Sequence, residues 1–332
     1  VSDPILLFLI LDAAALLGLG ASTSRVPPSV CGFLTTILCG LGLLLCLPPL
    51  LMRMPSSTLA VPVGPPGLSL HFALDPLALF FLVIAFLAAT AISAFHATPV
   101  QSAGSVRATA FCVGGVILSL LAADGVALVV GLAGSCAAIG IRRGTLPLVP
   151  ILLLGAVCLL TPAGYAPRFD TIAAAPIDAT HAATAAALTL GAAATLAWPT
   201  SAEDRCWFRD ALIAGLLIPF GIYVLLRLTT ELSGNAVPPW WGFVVLLVGG
   251  AAAVFQGWFG AGTQDIDIAA AALLRQRFGH AIATIGLALI ARSADLPGAA
   301  TFALEATCLT AIGAAAAGTL TTLCAHVIGS SA

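Results

Sequence analysis

The acids are few enough to weigh one at a time, because 332 residues carry only 14 of them beside 12 basic side chains. Glu305 stands in TFALEATCLTA with apolar residues on both sides. A carboxyl so placed carries protons, pairs with a neighbour or, about two turns into its helix, snorkels toward the interface, since an isolated charge inside a span is costly. Asp12 lies in the apolar run near the N-terminus, where it would meet a partner helix. Asp124 falls in LAADGVAL between two apolar runs, and Asp75 directly precedes Pro76; both are helix-start capping positions. Asp265 and Asp267, in TQDIDIAA, read as interfacial. The histidines 71, 96, 181, 280 and 326 are too dispersed for a metal site. A proton path through this chain would therefore have to use Glu305, Asp124, Asp267 and His280. All 12 basic residues are arginine, so no lysine ammonium exists to join such a path. Arginine does not replace it, because it keeps its proton. The 9 cysteines form no CxxC pair. Cys31, Cys39 and Cys46 are spaced to share a helix face, where cysteine behaves as a small hydrophobe. No nucleophile–base pair, phosphate loop or dinucleotide motif is present, and GAGT at 260–263 reads as a turn. Catalytic, cofactor and metal sites are not expected; bound lipid is the one ligand that fits.

The elements that must position these groups are membrane helices. The chain is 60% hydrophobic and 8% charged, with mean hydropathy +1.12; a soluble protein carries about 25% charged residues. A net charge of −2 gives no basis for a nucleic-acid partner. The pattern predicts an all-α polytopic transmembrane bundle of about 10–11 helices in one domain over 1–332. The spans fall near 4–22, 31–52, 76–95, 106–122, 124–141, 147–164, 183–198, 210–229, 239–260, 279–293 and 299–328. Polar or proline-rich segments at 53–74, 165–180, 200–209 and 231–239 lie outside the bilayer, and the alternation in LSLHFAL (68–74) suggests a short strand there. VSDPILLFLILD lacks a basic flank and a cleavage site, so it reads as a retained span. Arginines 25, 107, 142, 143, 205, 209, 275 and 277 fall in odd-numbered loops, against 53, 168, 227 and 292 in even ones. That bias predicts cytoplasmic odd loops and an N-terminus on the outer, periplasmic side of a bacterial inner membrane. Alanine- and glycine-rich stretches such as AIGAAAAGTL (311–320) allow close helix approach, including to other subunits.

The stretch ALIAGLLIPFGIYVLLR (211–227) has Pro219 near its middle. Proline lacks the N–H of the helix ladder and crowds the preceding turn. In lipid such a break survives only where neighbouring helices or water satisfy the freed carbonyl. The segment is therefore expected inside the bundle, as a packing kink or as the break that builds a transport site.

Several of these stretches, in order, resemble the proton-conducting antiporter-like membrane subunits of respiratory complex I and of membrane hydrogenases (hydrogenase-4 component B). LSLHFALDPLALFFLVIAFLAATAISAF (68–95) and LSLLAADGVALVVGLAG (118–134) are similar to successive early segments of that family. GLLIPFGIYVLLR (215–227) is similar to its helix "mlKvGiYgllR". PPWWGFVVLLVGGAAAVFQGWFGAGTQDID (238–267) and IATIGLALIA (282–291) are similar to the two helices after it. The resemblance spans roughly 68–291 and is nearest to hydrogenase-4 component B. It implies a subunit of a complex-I-like or hydrogenase-type assembly whose partners are other membrane subunits and lipids. The departures fall on the residues that relay protons in the family. Its tryptophan–glutamate pair corresponds to Leu132 and Ala133, and one lysine falls near Ala194 and Thr195. The lysine of the "mlKvGiY" helix corresponds to Pro219, and a further one to Asp267. The later histidine–lysine helix corresponds to 304–324, with Thr310, Ala314 and Gly318 at those places. The resemblance thus implies a kept fold and a degenerate proton channel: a non-pumping subunit that scaffolds or docks its neighbours. A rerouted proton path, or a small-solute transporter with its site at Pro219, is the alternative.

Overall fold

A computed structural model of the chain describes residues 4–22, 27–52, 55–62, 69–96, 103–138, 148–161, 167–174, 178–197, 212–228, 239–262 and 266–329. Helices α1 (Pro4–Ala21), α2 (Pro28–Met52), α3 (Pro76–His96) and α4 (Ala103–Leu121) come first, with a two-stranded hairpin between α2 and α3. Helices α5 (Gly125–Ala138), α6 (Leu148–Leu160), the single turn-and-a-half α7 (Phe169–Ala174) and α8 (Ala179–Ala197) follow. A π-helical turn at Ile213–Leu217 runs into α9 (Ile218–Leu226), and α10 (Pro239–Ala261), α11 (Ile266–Ser293) and α12 (Pro297–Gly329) complete the bundle. Helices α1, α2, α3 and α10 are long and apolar enough to cross a membrane. Shorter apolar helices, α4, α5, α6 and the 215–226 segment, pack among them.

Proline opens α1, α2, α3, α10 and α12, as expected where the first N–H groups have no helical acceptor. Neighbouring helices approach through glycine. A side chain at Gly20 or Gly114 would strike backbone across the α1–α4 seam, and one at Gly42 would strike the Phe86 ring on α3. The tightest seam joins α10 to α11, where Gly242, Gly249, Gly279 and Gly286 interleave backbone against backbone. This is the small-residue packing by which membrane helices associate without a hydrophobic driving force. Serine does the same work between α4 and α5. The Ser119 hydroxyl donates to the Gly115 and Leu128 carbonyls at 2.9 and 3.1 Å. That of Ser135 donates to the Cys112 and Gly131 carbonyls at 3.0 and 3.1 Å.

Three features depart from expectation. The strand over LSLHFAL exists, as Leu70–Leu74, but its antiparallel partner Ser57–Val61 was not foreseen. The 165–180 segment contains α7. The helix that carries the tenth span is longer than the span: α11 starts at Ile266 and carries Asp267, Arg275 and Arg277 ahead of the apolar part. The run AAAALLRQR is made of strong helix formers with no glycine or proline to stop it, so the helix continues past the apolar part. The join to α12 is equally tight. Asp295 adopts φ 56°, and the Leu296 N–H returns to the Ala291 carbonyl at 2.9 Å. A left-handed residue closing a helix in this way lets α12 turn straight back along α11.

Candidate functional site

The element that the others surround is the broken helix. Every residue of α9 is buried, and so are Leu212, Leu216 and Leu217 before it. Pro219 sits in the first turn of α9, and the π turn lies directly on its N-terminal side. The missing proline N–H and the ring's bulk would strain a continuous α ladder there; widening the preceding turn accommodates both. The break is therefore shaped by the chain itself and packed by hydrocarbon. Gly215 lies against Ile92 and Ala88 of α3, while the Tyr223 ring meets Phe81 edge-on at 5.5 Å and lies 6.0 Å from that of Phe220. Tyr223 is fully buried and donates its hydroxyl to the Leu120 carbonyl of α4 at 3.1 Å, closing a polar group that burial would otherwise leave costly.

The buried polar or charged residues, among those described, are Asp12, Asp124, Arg227 and a set of serines and threonines. Leu132 is completely buried in α5 and Ala133 half-buried beside it, so these positions hold only hydrocarbon. Ala194 lies in α8 and Asp267 in the first turn of α11, but their side chains, like those of Ala314 and Gly318, are outside the described residues. Asp265, Arg142, Arg143, Arg205 and Arg209 are outside them altogether.

Asp124 caps α5: its Oδ1 accepts the Ala127 N–H and its Oδ2 the His71 N–H, each at 2.6 Å. The His71 ring lies 3.8 Å from the same Oδ2. Asp75 caps α3 through the Ala78 N–H at 2.8 Å, and its other oxygen meets Arg227 Nη2 at 2.6 Å. The Arg227 guanidinium, at the end of α9 and 8% exposed, also lies 5.3 Å over the Phe169 ring of α7. Strand pairing binds this end further, with Phe72 bridged to Ala122 and Asp124 to Arg168. One polar clasp thus joins the hairpin, α3, α5, α7 and α9 at a single end of the bundle. Beside it Arg168 pairs with Asp170 at 2.7 Å. Partial burial raises the Asp170 carboxyl, but the Thr171 N–H and Arg168 outweigh that and hold it below the usual carboxylate range.

Of the groups proposed for a proton path, Asp267 has its side chain outside the described residues, and the other three sit in different surroundings. Asp124 is tied into the clasp, whereas His280 on α11 and Glu305 on α12 lie exposed on the outer surface. Asp12, halfway along α1, is 5% exposed, and among the described residues neither of its oxygens has a hydrogen-bond partner. Cys31, Cys39 and Cys46 are all buried on one face of α2 as free thiols. No metal-binding group occurs among the described residues. Sequence reasoning gave the two caps but not the Arg227–Asp75 pair, for which the single arginine ending an apolar helix was the available signal.

No family model matches the sequence, and no curated protein sequence does. Solved structures do. The fold is similar to a chain in the Mrp complex from Dietzia sp. DQ12-45-1b, with TM-score 0.74 and 21% identity over 97% of this chain and 37% of that one. It is similar to a chain of the membrane-bound sulfane sulfur reductase, an archaeal respiratory membrane complex, with TM-score 0.65 and 17% identity over 92% of this chain and 55% of that one. Respiratory complex I from Thermus thermophilus gives TM-score 0.66 and 14% identity over 97% and 71%. The chain spans about a third to a half of the first two. At these identities the likeness is one of fold: this is a multi-pass helical membrane protein with a fold shared by chains of the Mrp complex and of respiratory complex I.

Proposed function

We propose that this chain is a non-pumping, antiporter-like subunit of a larger membrane assembly, of the complex-I-like or hydrogenase-4 type, where it scaffolds or docks neighbouring subunits. The observation that carries this reading is the composition of the broken helix and its surroundings. Where the resembling family places lysine, this chain has Pro219, buried in α9 as are the apolar residues on either side of it. A proton relay needs groups that titrate and waters that join them. Leu132 and Ala133 supply neither, and there is no lysine in the chain. The three neighbouring folds all come from multi-protein membrane complexes, which supports other membrane subunits as partners. An inner-membrane location with the N-terminus outside follows from the arginine bias and belongs to the same proposal.

The test is purification from the native membrane in mild detergent on a terminal tag, followed by reconstitution of the chain into liposomes with a pH-sensitive dye. Stoichiometric membrane partners and no proton flux above empty liposomes are expected. A chain that emerges alone and moves protons, with the flux abolished in Glu305→Gln, would refute the reading in favour of a rerouted path.

A further inference from the structure

The apolar helix faces on the outside of the bundle differ in one respect. Those of α2 (Phe33, Ile37, Leu44) and α10 (Phe243, Leu247, Phe255) are exposed hydrocarbon, as a lipid-facing surface should be. The outer face of α12 is also apolar, with Phe302 73% and Leu309 69% exposed, but Glu305 stands exposed between them. The opposite face, Ala303, Thr307 and Ala311, is buried at four-residue intervals in the bundle.

By the helical rise, Glu305 lies within the apolar depth of α11 and α12, away from either end of it. The Thr284 and Thr307 hydroxyls hydrogen-bond at 2.8 Å, which fixes the level of α12 against α11. On α11, Thr284 lies between exposed Arg277 and exposed Arg292, about 10–12 Å from each at the helical rise. Those arginines mark the two polar boundaries, so the threonine pair lies midway. Glu305 is two residues from Thr307, about 3 Å along the axis. From Glu305 to the start of α12 at Pro297 is about 12 Å, beyond the reach of so short a side chain. His280 differs: it is one turn from Arg277 and so close to a boundary. Acids inside membrane spans face water or pair with another group, and this one does neither within the described bundle.

We infer that the Phe302–Glu305–Leu309 face of α12 is a docking surface for a transmembrane helix of a different subunit that presents a lysine or arginine at the depth of Glu305. This rests on the subunit reading above and gives that reading a location. A second copy of this chain does not fit. It would bring the same carboxylate, it has no lysine, and its arginines fall at the ends of the apolar spans. The complementary base must come from another chain.

The experiment replaces Leu309 with photoreactive benzoylphenylalanine in the native membrane, with Leu247 on α10 as the control position. Irradiation should link position 309, and not 247, to one apolar helix of another chain containing a lysine or arginine. Glu305→Lys should cut the yield at least tenfold, Glu305→Asp should keep most of it, and reversing the base in the captured helix should restore the Glu305→Lys variant. Glu305→Gln covers the case in which Glu305→Lys fails to accumulate, and a loss of several-fold is expected. Adducts to lipid alone, to a second copy, or to a helix without a base would overturn the proposal, as would a yield indifferent to both substitutions. Stoichiometric co-purifying partners with no link at 309 would sink this surface alone. Absence of any partner would sink the subunit reading with it.

Discussion

Arg227 and Asp75 offer the sharpest test of how the bundle is held at its polar end. Their 2.6 Å contact joins the last residue of the broken helix to the cap of α3, with side chains 10% and 17% exposed. At an effective dielectric of ~20 a pair of charges ~4 Å apart is worth about 4 kcal/mol before desolvation is subtracted. Net values are smaller, but removing one partner of a buried pair costs about 3–5 kcal/mol because the other is stranded. Partial exposure of Asp75 argues for the lower end of that range, so Arg227→Met should destabilise by about 3 kcal/mol. Part of the loss is the Phe169 contact, worth about 0.5–2 kcal/mol. Asp75→Asn keeps an oxygen for the Ala78 N–H, so adding it to Arg227→Met removes the stranded charge without removing the cap. The double variant should recover all but about 1 kcal/mol, chiefly the lost ring contact. Unfolding free energies from denaturant titration in mixed micelles give all four corners of the cycle. A double variant as unstable as Arg227→Met would refute the charge argument and leave shape as the cause.

The buried carboxyl of Asp12, without a hydrogen-bond partner among the described residues, should be a net liability: Asp12→Leu should raise stability by about 1–3 kcal/mol in the same titration. A loss would mean that a subunit or lipid satisfies it. A Cβ at Gly279 would lie 2.6 Å from the Ala253 N and 2.9 Å from its Cα. Gly279→Ala should therefore force α10 from α11 and cost about 1–3 kcal/mol, read as a lower melting temperature in detergent. Asp170 has its carboxyl held below the usual range, so it contributes stability above the ordinary carboxylate value that is lost as pH falls through the lowered one. The pair is exposed, so Asp170→Asn should lose only about 0.2–1 kcal/mol near neutrality and show a correspondingly shallower decline below pH ~4.

Much of this was legible because membranes simplify the code. A run such as PLALFFLVIAFLAATAIS can only be a helix in lipid, where every backbone group must be satisfied within its own segment. Asp75–Pro76 and Asp124–Gly125 announce helix starts through local hydrogen bonding, and both aspartates accept the N–H three residues on. What escaped was either short or non-local. Ser57–Val61 is a strand only because Leu70–Leu74 lies beside it, and α7 is too short for a periodicity to develop. The start of α11 was missed because hydropathy marks where a helix leaves the membrane, not where it ends. The Arg227–Asp75 pair joins positions some 150 residues apart, and nothing local to either specifies the other.

The placement of polarity ties the fold to the proposed role. A subunit that moves protons must hold its titratable groups inside, in contact with water, and accept the instability they bring. Around the broken helix the described residues are mostly apolar: Pro219 and its neighbours in α9 are buried, and Tyr223 donates its hydroxyl to an α4 carbonyl. The ion pair that α9 does possess lies at the bundle's end, where it closes a clasp across the hairpin and three other helices. Of the carboxylates within the apolar helices, Asp12 is buried, whereas Glu305 faces outward, where the proposed neighbour would use it. A buried apolar break, a fastened end and an outward-facing carboxylate are what the proposed docking role would require.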